Sequence, residues 1–393
     1  MIWLLLLACR KDVDPKDSDT PVVDTRDPKS HCTLNADGER NSVITTLAGA
    51  QVYISADADF EGPQVPVAVI HGGFSGEQVP PVPSTILNPG GGYVQLHTDL
   101  IGSDSVEGDM DHYGGESRAG VLRLLQFAKG MSEDDEGCAL ADRVPTFDSM
   151  ILVGLSNGGN LVLSTLADTT LERPPVEALL VWETPSAAPI ALNEYHRPEM
   201  GDCTLAPELR CEMDYRRLSW AGQGYLDRND NGELDDDEPT WRGLNTSIGL
   251  TFSPEMRALL GDDKDLASRE DTRAFWERRE GAKQVPAIEV AYPSLKTMII
   301  AGKEDHLQEL GGSPHVTGLG LAMTRAGFWV RMNPDSAYSG LEQENDGDIP
   351  IGFDSDELLL PGTTDIDEVS AGVHELADRL RAGNWTPNLD EQL

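Results

Sequence analysis

Basic residues are scarce in this 393-residue sequence. Lys and Arg number 30 against 68 Asp and Glu, so the formal net charge is -38. So negative a surface repels phosphate backbones and anionic lipid headgroups, which argues against nucleic acid as a partner and against attraction to an anionic membrane face. The excess of carboxylates predicts a heavily hydrated surface. Recruitment of a cationic protein is the less favoured alternative.

The apolar run that opens the chain, MIWLLLLAC, is too short to span a membrane. It has about half the length that a membrane-spanning helix requires. The run predicts the apolar part of a signal peptide over residues 1–9. Leu6 to Cys9 resemble a bacterial lipobox, in which the peptide is cleaved before a cysteine that then carries lipid. No Lys or Arg precedes the run, so a truncated ordinary signal peptide is the alternative.

Residues 10–31 have almost no apolar content and are rich in Asp, Pro, Thr and Lys. Such a composition cannot bury a core, and it predicts a disordered, solvated tether. A lipidated Cys9 followed by a tether predicts a bacterial cell-envelope protein. Its only membrane contact would be a lipid anchor in the outer membrane, on the periplasmic or the surface side.

The five cysteines include no CxxC pair and no Cys/His cluster with zinc-site spacing, which argues against a structural zinc. Without Cys9 an even number remains, as expected in an oxidising compartment. Cys203 and Cys211 are close in sequence and flank a loop that contains proline, so we expect them to pair, and Cys32 would then pair with Cys138. Four cysteines permit three connectivities, and the sequence alone does not choose among them.

The apolar residues predict an α/β fold. Hydrophobic residues make up 39% of the chain and charged residues 25%, a globular balance. From residue 50 onward, strand-like runs such as VPVAVIHGG and VEALLVWE alternate with helix-like segments, which implies a mostly parallel sheet with helices on both faces. A last helix is predicted from Asp365 to Leu380, with a buried stripe of Val369, Val373, Leu376 and Leu380. The predicted core falls in two parts, 32–189 and 293–384, separated by a cap insertion at 190–292 over the carboxyl edge of the sheet and followed by a tail at 385–393.

The stretch GLSNGGN follows a buried strand and carries the pattern G-x-S-x-G at Gly154 to Gly158. A sharp turn from strand to helix would hold Ser156 in a strained conformation, and glycines two positions on either side would avoid clashes with the neighbouring strand and helix. The pattern predicts that Ser156 is a nucleophile. An ordinary tight glycine turn is the alternative.

A second motif, HGGF, begins at His71 directly after another predicted strand. With these two motifs, residues of about 50–185 and 293–381 resemble the α/β-hydrolase superfamily, most closely its esterase and dipeptidyl-peptidase or dienelactone-hydrolase branches. The resemblance implies that backbone N–H groups stabilise the oxyanion, from Asn157 and from Gly73 or Phe74. It also implies that His71 shapes this loop and is not the catalytic base.

The resemblance implies an acid and a histidine that follow Ser156 in chain order. In MIIAGKEDHL, Asp305 occupies the position of the acid, with Glu304 as the less favoured substitute. After the last predicted strand, GFWVRMN, the only histidine is His374. It lies away from the apolar stripe of the last helix, so a solvent-facing residue is the alternative. His306 and His315 are the other candidates for the base.

The stretch DRNDNGELDDDE, residues 227–238, matches the calcium-binding loop pattern D-x-[DN]-x-[DN]-G-x5-E at every key position. Gly232 would permit the sharp bend, and Leu234 is the apolar residue usual at the eighth position. Calcium is the predicted cofactor, and one more acidic loop is the alternative. The predicted oxygen ligands are Asp227, Asn229, Asn231, the backbone of Glu233, Asp235 and Glu238.

Two functions of different classes follow. The first is an exported, lipid-anchored serine hydrolase that cleaves an ester or amide in a small molecule or peptide. The second is a non-catalytic, calcium-stabilised surface or binding protein that keeps the same fold but lacks a catalytic histidine. A structural protein that acts through its acidic face has less support.

Overall fold

The computed structural model describes residues 29–72, 87–108, 111, 113–170, 172–186, 278–302, 314–333 and 365–385. In these residues the strands are β1 (Asn35–Asp37), β2 (Arg40–Leu47), β3 (Ala50–Asp57), β4 (Val65–Ile70), β5 (Tyr93–Thr98), β6 (Ile151–Leu155), β7 (Ala178–Trp182), β8 (Lys296–Ile300) and β9 (Trp329–Met332). The helices are α1 (Gly115–Ala128), α2 (Leu140–Arg143), α3 (Asn157–Ala167), α4 (Gly281–Ala291), α5 (Pro314–Arg325) and α6 (Ile366–Ala382). None of these helices combines the length and the apolar character needed to cross a bilayer.

All nine of these strands form one sheet, in the order β1-β2-β3-β5-β4-β6-β7-β8-β9. The pairs β1–β2, β2–β3 and β3–β5 are antiparallel, and every pair from β5 to β9 is parallel. Strands β4, β5 and β6 are buried along their whole length. Mostly apolar runs buried on both faces are typical of central parallel strands. The prediction of a mostly parallel sheet is confirmed.

Helices cover both faces of the sheet, as predicted. On one face, apolar residues of α1, α3, α4 and α5 pack against the sheet in a single buried cluster. On the other face, α6 packs against side chains from β4 to β9 in a second cluster. The structure therefore has three layers, and the helices leave the two ends of the parallel strands uncovered by these clusters.

Helix α6 forms where the apolar spacing predicts it. The side chain of Asp365 accepts a hydrogen bond from the N–H of Asp367 at 2.8 Å and caps the first turn. Gly383 ends the helix in the left-handed conformation, with φ of 64°. The predicted stripe is confirmed, since Val369, Val373 and Leu376 are buried and Leu380 packs against the same cluster.

Helix α4 lies within the range predicted as the insertion but packs on the core. The side chain of Asn160 in α3 accepts a hydrogen bond from the N–H of Gly281 at 2.9 Å. A Cβ at Gly281 would lie 2.8 Å from the same oxygen, so glycine lets α4 approach α3 closely. The core therefore resumes by Gly281, before the predicted boundary at residue 293. Residues 187–277, which hold Cys203, Cys211 and the predicted calcium loop, lie outside the described residues, as do Cys9 and residues 1–28.

A disulfide joins Cys32 to Cys138, which confirms this predicted pair. Next to it the carboxylate of Asp134 accepts hydrogen bonds from the N–H groups of Glu136 and Cys138, at 3.0 and 2.9 Å. The other oxygen of Asp134 lies 2.5 Å from the guanidinium of Arg143, and both side chains are buried. The disulfide and these bonds hold the loop from 134 to 138 against the start of the described chain.

Candidate active site

The order in which the chain adds parallel strands to the sheet reverses between β4 and β6, which makes this position a topological switch point. The chain passes from β4 to β5 on one side of β4, and then crosses to place β6, β7, β8 and β9 on the other side. In open parallel sheets ligands bind outside the carboxyl ends of the strands at such a switch point. His71 and Gly72 follow the end of β4, and Ser156 follows the end of β6. The two predicted catalytic motifs therefore flank the switch point.

Ser156 lies in the sharp turn that the sequence predicts. Its φ is 51° and its ψ is -129°, outside the regions that residues with a side chain normally adopt. The residue is 8% exposed, and its N–H donates a hydrogen bond to the carbonyl oxygen of Trp182 at 2.8 Å. Non-glycine residues retain such strained backbone where the surrounding structure enforces it, most often at functional sites.

The two glycines of the motif are required by space, as predicted. A Cβ at Gly154 would lie 2.6 Å from the Cα of Gly159 and 2.7 Å from Val162. A Cβ at Gly158 would lie 2.6 Å from the carbonyl oxygen of His71. Helix α3 therefore packs directly on strand β6, which precedes it, and on the backbone that follows β4.

The loop after β4 touches the serine. A Cβ at Gly72 would lie 2.9 Å from the Oγ of Ser156 and 2.7 Å from the carbonyl oxygen of Leu155. Asn157 is the first residue of α3, where backbone N–H groups lack intrahelical acceptors. The structure thus brings Ser156, Asn157 and the start of the HGG motif together. Gly73 and Phe74, the other predicted oxyanion donors, lie outside the described residues.

A second histidine supports this loop. The Nε2 of His71 lies 2.9 Å from the Nδ1 of His97, near the end of β5, and the two rings are nearly parallel. The Nε2 of His97 lies 3.3 Å from the side-chain oxygen of Gln95. Sequence reasoning did not identify Gln95 or His97. The available signal was two polar side chains at alternate positions of a strand that is otherwise buried.

Both imidazoles are neutral at neutral pH. Burial lowers the pKa of His71 to about 4. Burial also holds the pKa of His97 well below its usual value, and the neighbouring His71 and the charge of Arg40 act in the same direction. A neutral histidine carries one N–H and one acceptor nitrogen, so a defined hydrogen-bond direction is possible along the pair.

His374 lies at the amino ends of the parallel strands, opposite to the carboxyl ends that hold Ser156. This corrects the prediction that His374 is the base for Ser156. Its Nε2 is 3.4 Å from the carbonyl oxygen of Asn88, and its ring lies 5.4 Å from that of Tyr93, centre to centre. Tyr93 begins β5 and pairs with Val65 at the beginning of β4. The strands run five residues from that level to the level of Ile70 and Gly154, roughly 17 Å at about 3.3 Å per residue. The structure therefore does not bring His374 to Ser156.

The remaining histidine candidates follow β8. Asp305, Glu304 and His306 lie outside the described residues. His315 is the second residue of α5. Because α5 connects through three residues to the beginning of β9, its last turn lies at the amino edge and its first turn lies about 18 Å away, at the carboxyl edge. His315 thus lies in the first turn of α5, at the carboxyl ends of the strands, where Ser156 also lies.

Glu183 is a further carboxylate at the carboxyl edge, which sequence reasoning missed. It follows β7 directly, is 1% exposed and has a φ of 42°. Its N–H donates a hydrogen bond to the carbonyl oxygen of Ile300 at 2.9 Å, so it lies between the serine turn and the end of β8. A charged residue immediately after an apolar strand was the signal in the sequence.

No family model and no curated protein matches the sequence. Among solved structures, the HSL homologue EstE7 from a metagenome library is 12% identical over 90% of this chain and 90% of that chain, with a TM-score of 0.46. A highly thermostable carboxyl esterase from Bacillus coagulans is 15% identical over 86% and 97%, with a TM-score of 0.43. Carboxyl esterase 2 from the mycorrhizal fungus Tuber melanosporum is 12% identical over 76% and 77%, with a TM-score of 0.38. These likenesses are weak. The strand order and the strained serine turn by themselves show an α/β fold with a mostly parallel sheet, in which a serine follows the end of a central strand.

Proposed function

We propose that this protein is a serine hydrolase that cleaves an ester or an amide, with Ser156 as its nucleophile. The observation that carries the proposal is the strained backbone of Ser156, with the backbone of Gly72 packed directly against it at the switch point of the sheet. A structural turn would gain nothing from a serine held in this conformation, because glycine adopts it without strain. A nucleophile presented at the end of a strand beside oxyanion donors does require it.

In the proposed reaction the Oγ of Ser156 attacks the carbonyl carbon of the substrate, and the hydroxyl proton passes to an imidazole. The N–H of Asn157 and one N–H from Gly73 or Phe74 stabilise the negative oxygen of the tetrahedral intermediate. The imidazole then returns the proton to the leaving alcohol or amine. Water attacks the acyl-enzyme by the same route, which releases the acid and restores Ser156.

We place the base among His315 and His306, since both follow β8 and α5 begins at the carboxyl edge. Asp305 remains the proposed acid, and the buried Glu183 is the alternative on the neighbouring strand. The non-catalytic surface or binding protein is the competing function, and the placement of His374 away from Ser156 favours it.

Covalent capture tests the proposal without knowledge of the substrate. We expect a fluorophosphonate to label the native protein at neutral pH, and mass spectrometry of the digested adduct to locate the modification on Ser156. Capture requires an activated serine, so the heat-denatured protein should not react. A native protein that stays unlabelled, or an adduct on another serine, would refute the proposal and favour the non-catalytic function.

We also propose that calcium binds residues 227–238 and stabilises the protein. The support is the match of this acidic loop to the calcium-binding pattern. A ligand that binds only the native state stabilises it by about 2.7 kcal/mol at a hundredfold excess over Kd. We expect a chelator to lower the melting temperature of the wild type and to have no such effect on Asp227→Ala. Asp236→Ala, which removes the same charge at a position that supplies no ligand, should keep the response. Identical wild-type melting curves in chelator and in millimolar calcium would rule the site out.

We propose that the protein is exported and anchored through lipid on Cys9, on the periplasmic or surface side of the outer membrane. The support is the sequence LLAC, the tether-like segment after it, and the disulfide between Cys32 and Cys138, since disulfides persist in oxidising compartments.

A further inference from the structure

The histidine pair beside the serine has a single consistent hydrogen-bond direction. The side-chain oxygen of Gln95 accepts the N–H of Leu87 at 3.0 Å, which fixes the orientation of the Gln95 amide. The Nε2 of His97 faces that oxygen at 3.3 Å and must therefore donate. In neutral His97 the Nδ1 is then unprotonated, and it accepts from the Nε2 of His71 at 2.9 Å. The chain runs from His71 to His97 to Gln95.

This hydrogen-bond chain connects the buried strand β5 to the loop that contacts Ser156. Gln95 and His97 are fully buried in β5. His71 begins the loop, its carbonyl oxygen lies against Gly158, and the next residue, Gly72, lies against Ser156. The orientation of the His71 ring is thus coupled to the peptide planes that face the serine. A displacement of about 1 Å at such a site is enough to cost a factor of about a hundred in rate.

We propose that His97 is a positioning residue, which accepts the N–H of His71 and thereby holds the backbone of His71 and Gly72 against Ser156. The inference rests on the proposed hydrolase function. This pair of imidazoles is a poor choice for stability alone, since the ring of His97 is fully buried and loses its hydration, and an apolar side chain could fill the same space. Burial and the nearby cation of Arg40 both oppose protonation of His97, so its ring stays neutral.

Two substitutions separate positioning from packing. His97→Asn places a carbonyl oxygen near the position of Nδ1 and retains an acceptor for His71. His97→Phe keeps a planar ring but removes the acceptor. We expect His97→Phe to lower the rate of fluorophosphonate labelling at least tenfold, and His97→Asn to recover labelling to within about threefold of the wild type. Melting temperatures of both variants, measured in parallel, show whether each is folded.

The hydrogen-bond direction is measured on the wild type itself. With ¹⁵N-labelled histidine, long-range ¹H–¹⁵N spectra should show His97 with a protonated Nε2 and an unprotonated Nδ1, and the spectrum of His97→Asn assigns the signals. A protonated Nδ1 on His97 would overturn the inference even if His97→Phe fails to fold. Equal labelling rates for the wild type and a folded His97→Phe would also overturn it, while the proposed function would stand. An unlabelled wild type would overturn both.

Discussion

Replacement of Ser156 by alanine is expected to abolish fluorophosphonate capture, a loss of at least about a thousandfold in labelling rate. Removal of the nucleophile leaves nothing to form the covalent bond, and in a serine hydrolase this single loss costs about as much as the loss of the whole catalytic triad. The variant should fold, because alanine keeps the Cβ that the structure already accommodates at this position. Labelling followed by mass spectrometry, with a melting curve on the same sample, measures both effects. Undiminished labelling of Ser156→Ala would assign the reactivity to another residue.

A histidine series provides the control. His374→Ala should label at the wild-type rate within about twofold, since His374 contacts Gly91 and Tyr93 at the amino edge of the sheet. A base at the carboxyl edge predicts that His315→Ala or His306→Ala lowers the rate at least a hundredfold. If His374→Ala alone abolished labelling in a folded protein, the placement of α6 would be contradicted.

Gly72→Ala should lower the labelling rate by a factor of at least about a hundred. The new Cβ would clash with the side chain of Ser156 and would lie 2.7 Å from the backbone oxygen of Leu155. Relief of these contacts at Leu155 or Ser156 would require a shift of strand β6 or of the serine turn. The least costly relaxation is displacement of Gly72 and of the chain after it, which would carry the proposed oxyanion donors Gly73 and Phe74 away from the serine. Labelling kinetics and thermal melting together separate this local effect from unfolding.

Gly115→Ala is the matched control. Gly115 begins α1, a Cβ there would meet nothing within 4 Å, and its φ is not positive. The same chemical change at this position should leave the labelling rate unaltered and should not lower the melting temperature, since alanine favours the helix. Equal labelling by Gly72→Ala and Gly115→Ala would show that the loop after β4 does not face the nucleophile.

The sequence predicts the parallel core well because buried strands have a simple signature. β4, β6, β7 and β8 are short apolar runs, and the glycines around Ser156 show directly where backbones meet. The antiparallel edge was missed at β1 and β2, before residue 50. There one face is partly solvated: Ile44 is 56% exposed, and β2 mixes polar with apolar residues. Weak alternation in short strands does not stand out from a loop.

The distance of His374 from Ser156 was harder to predict, for a geometric reason. Helical periodicity shows that His374 lies off the buried stripe of α6, but it does not show how far along the strands that residue falls. Depth along the sheet depends on where the helix begins, and the chain before Asp365 gives no such measure. His97 was missed for a different reason. A polar residue inside an apolar strand is visible in the sequence, but its contact with His71, which follows β4, is a tertiary contact that the sequence does not show.

The disulfide also determines which part of the molecule carries mechanical load. Tension applied between the two ends of the chain would enter at Cys32 and pass across the sulfur bridge to Cys138, a jump of 106 residues. Strands β1 to β5, helix α1 and the His71–Gly72 loop all lie in the bypassed segment. Tension on the chain before Cys32 would therefore leave the backbone of His71 and Gly72 outside the loaded path, whereas Ser156, which follows Cys138, would lie on that path.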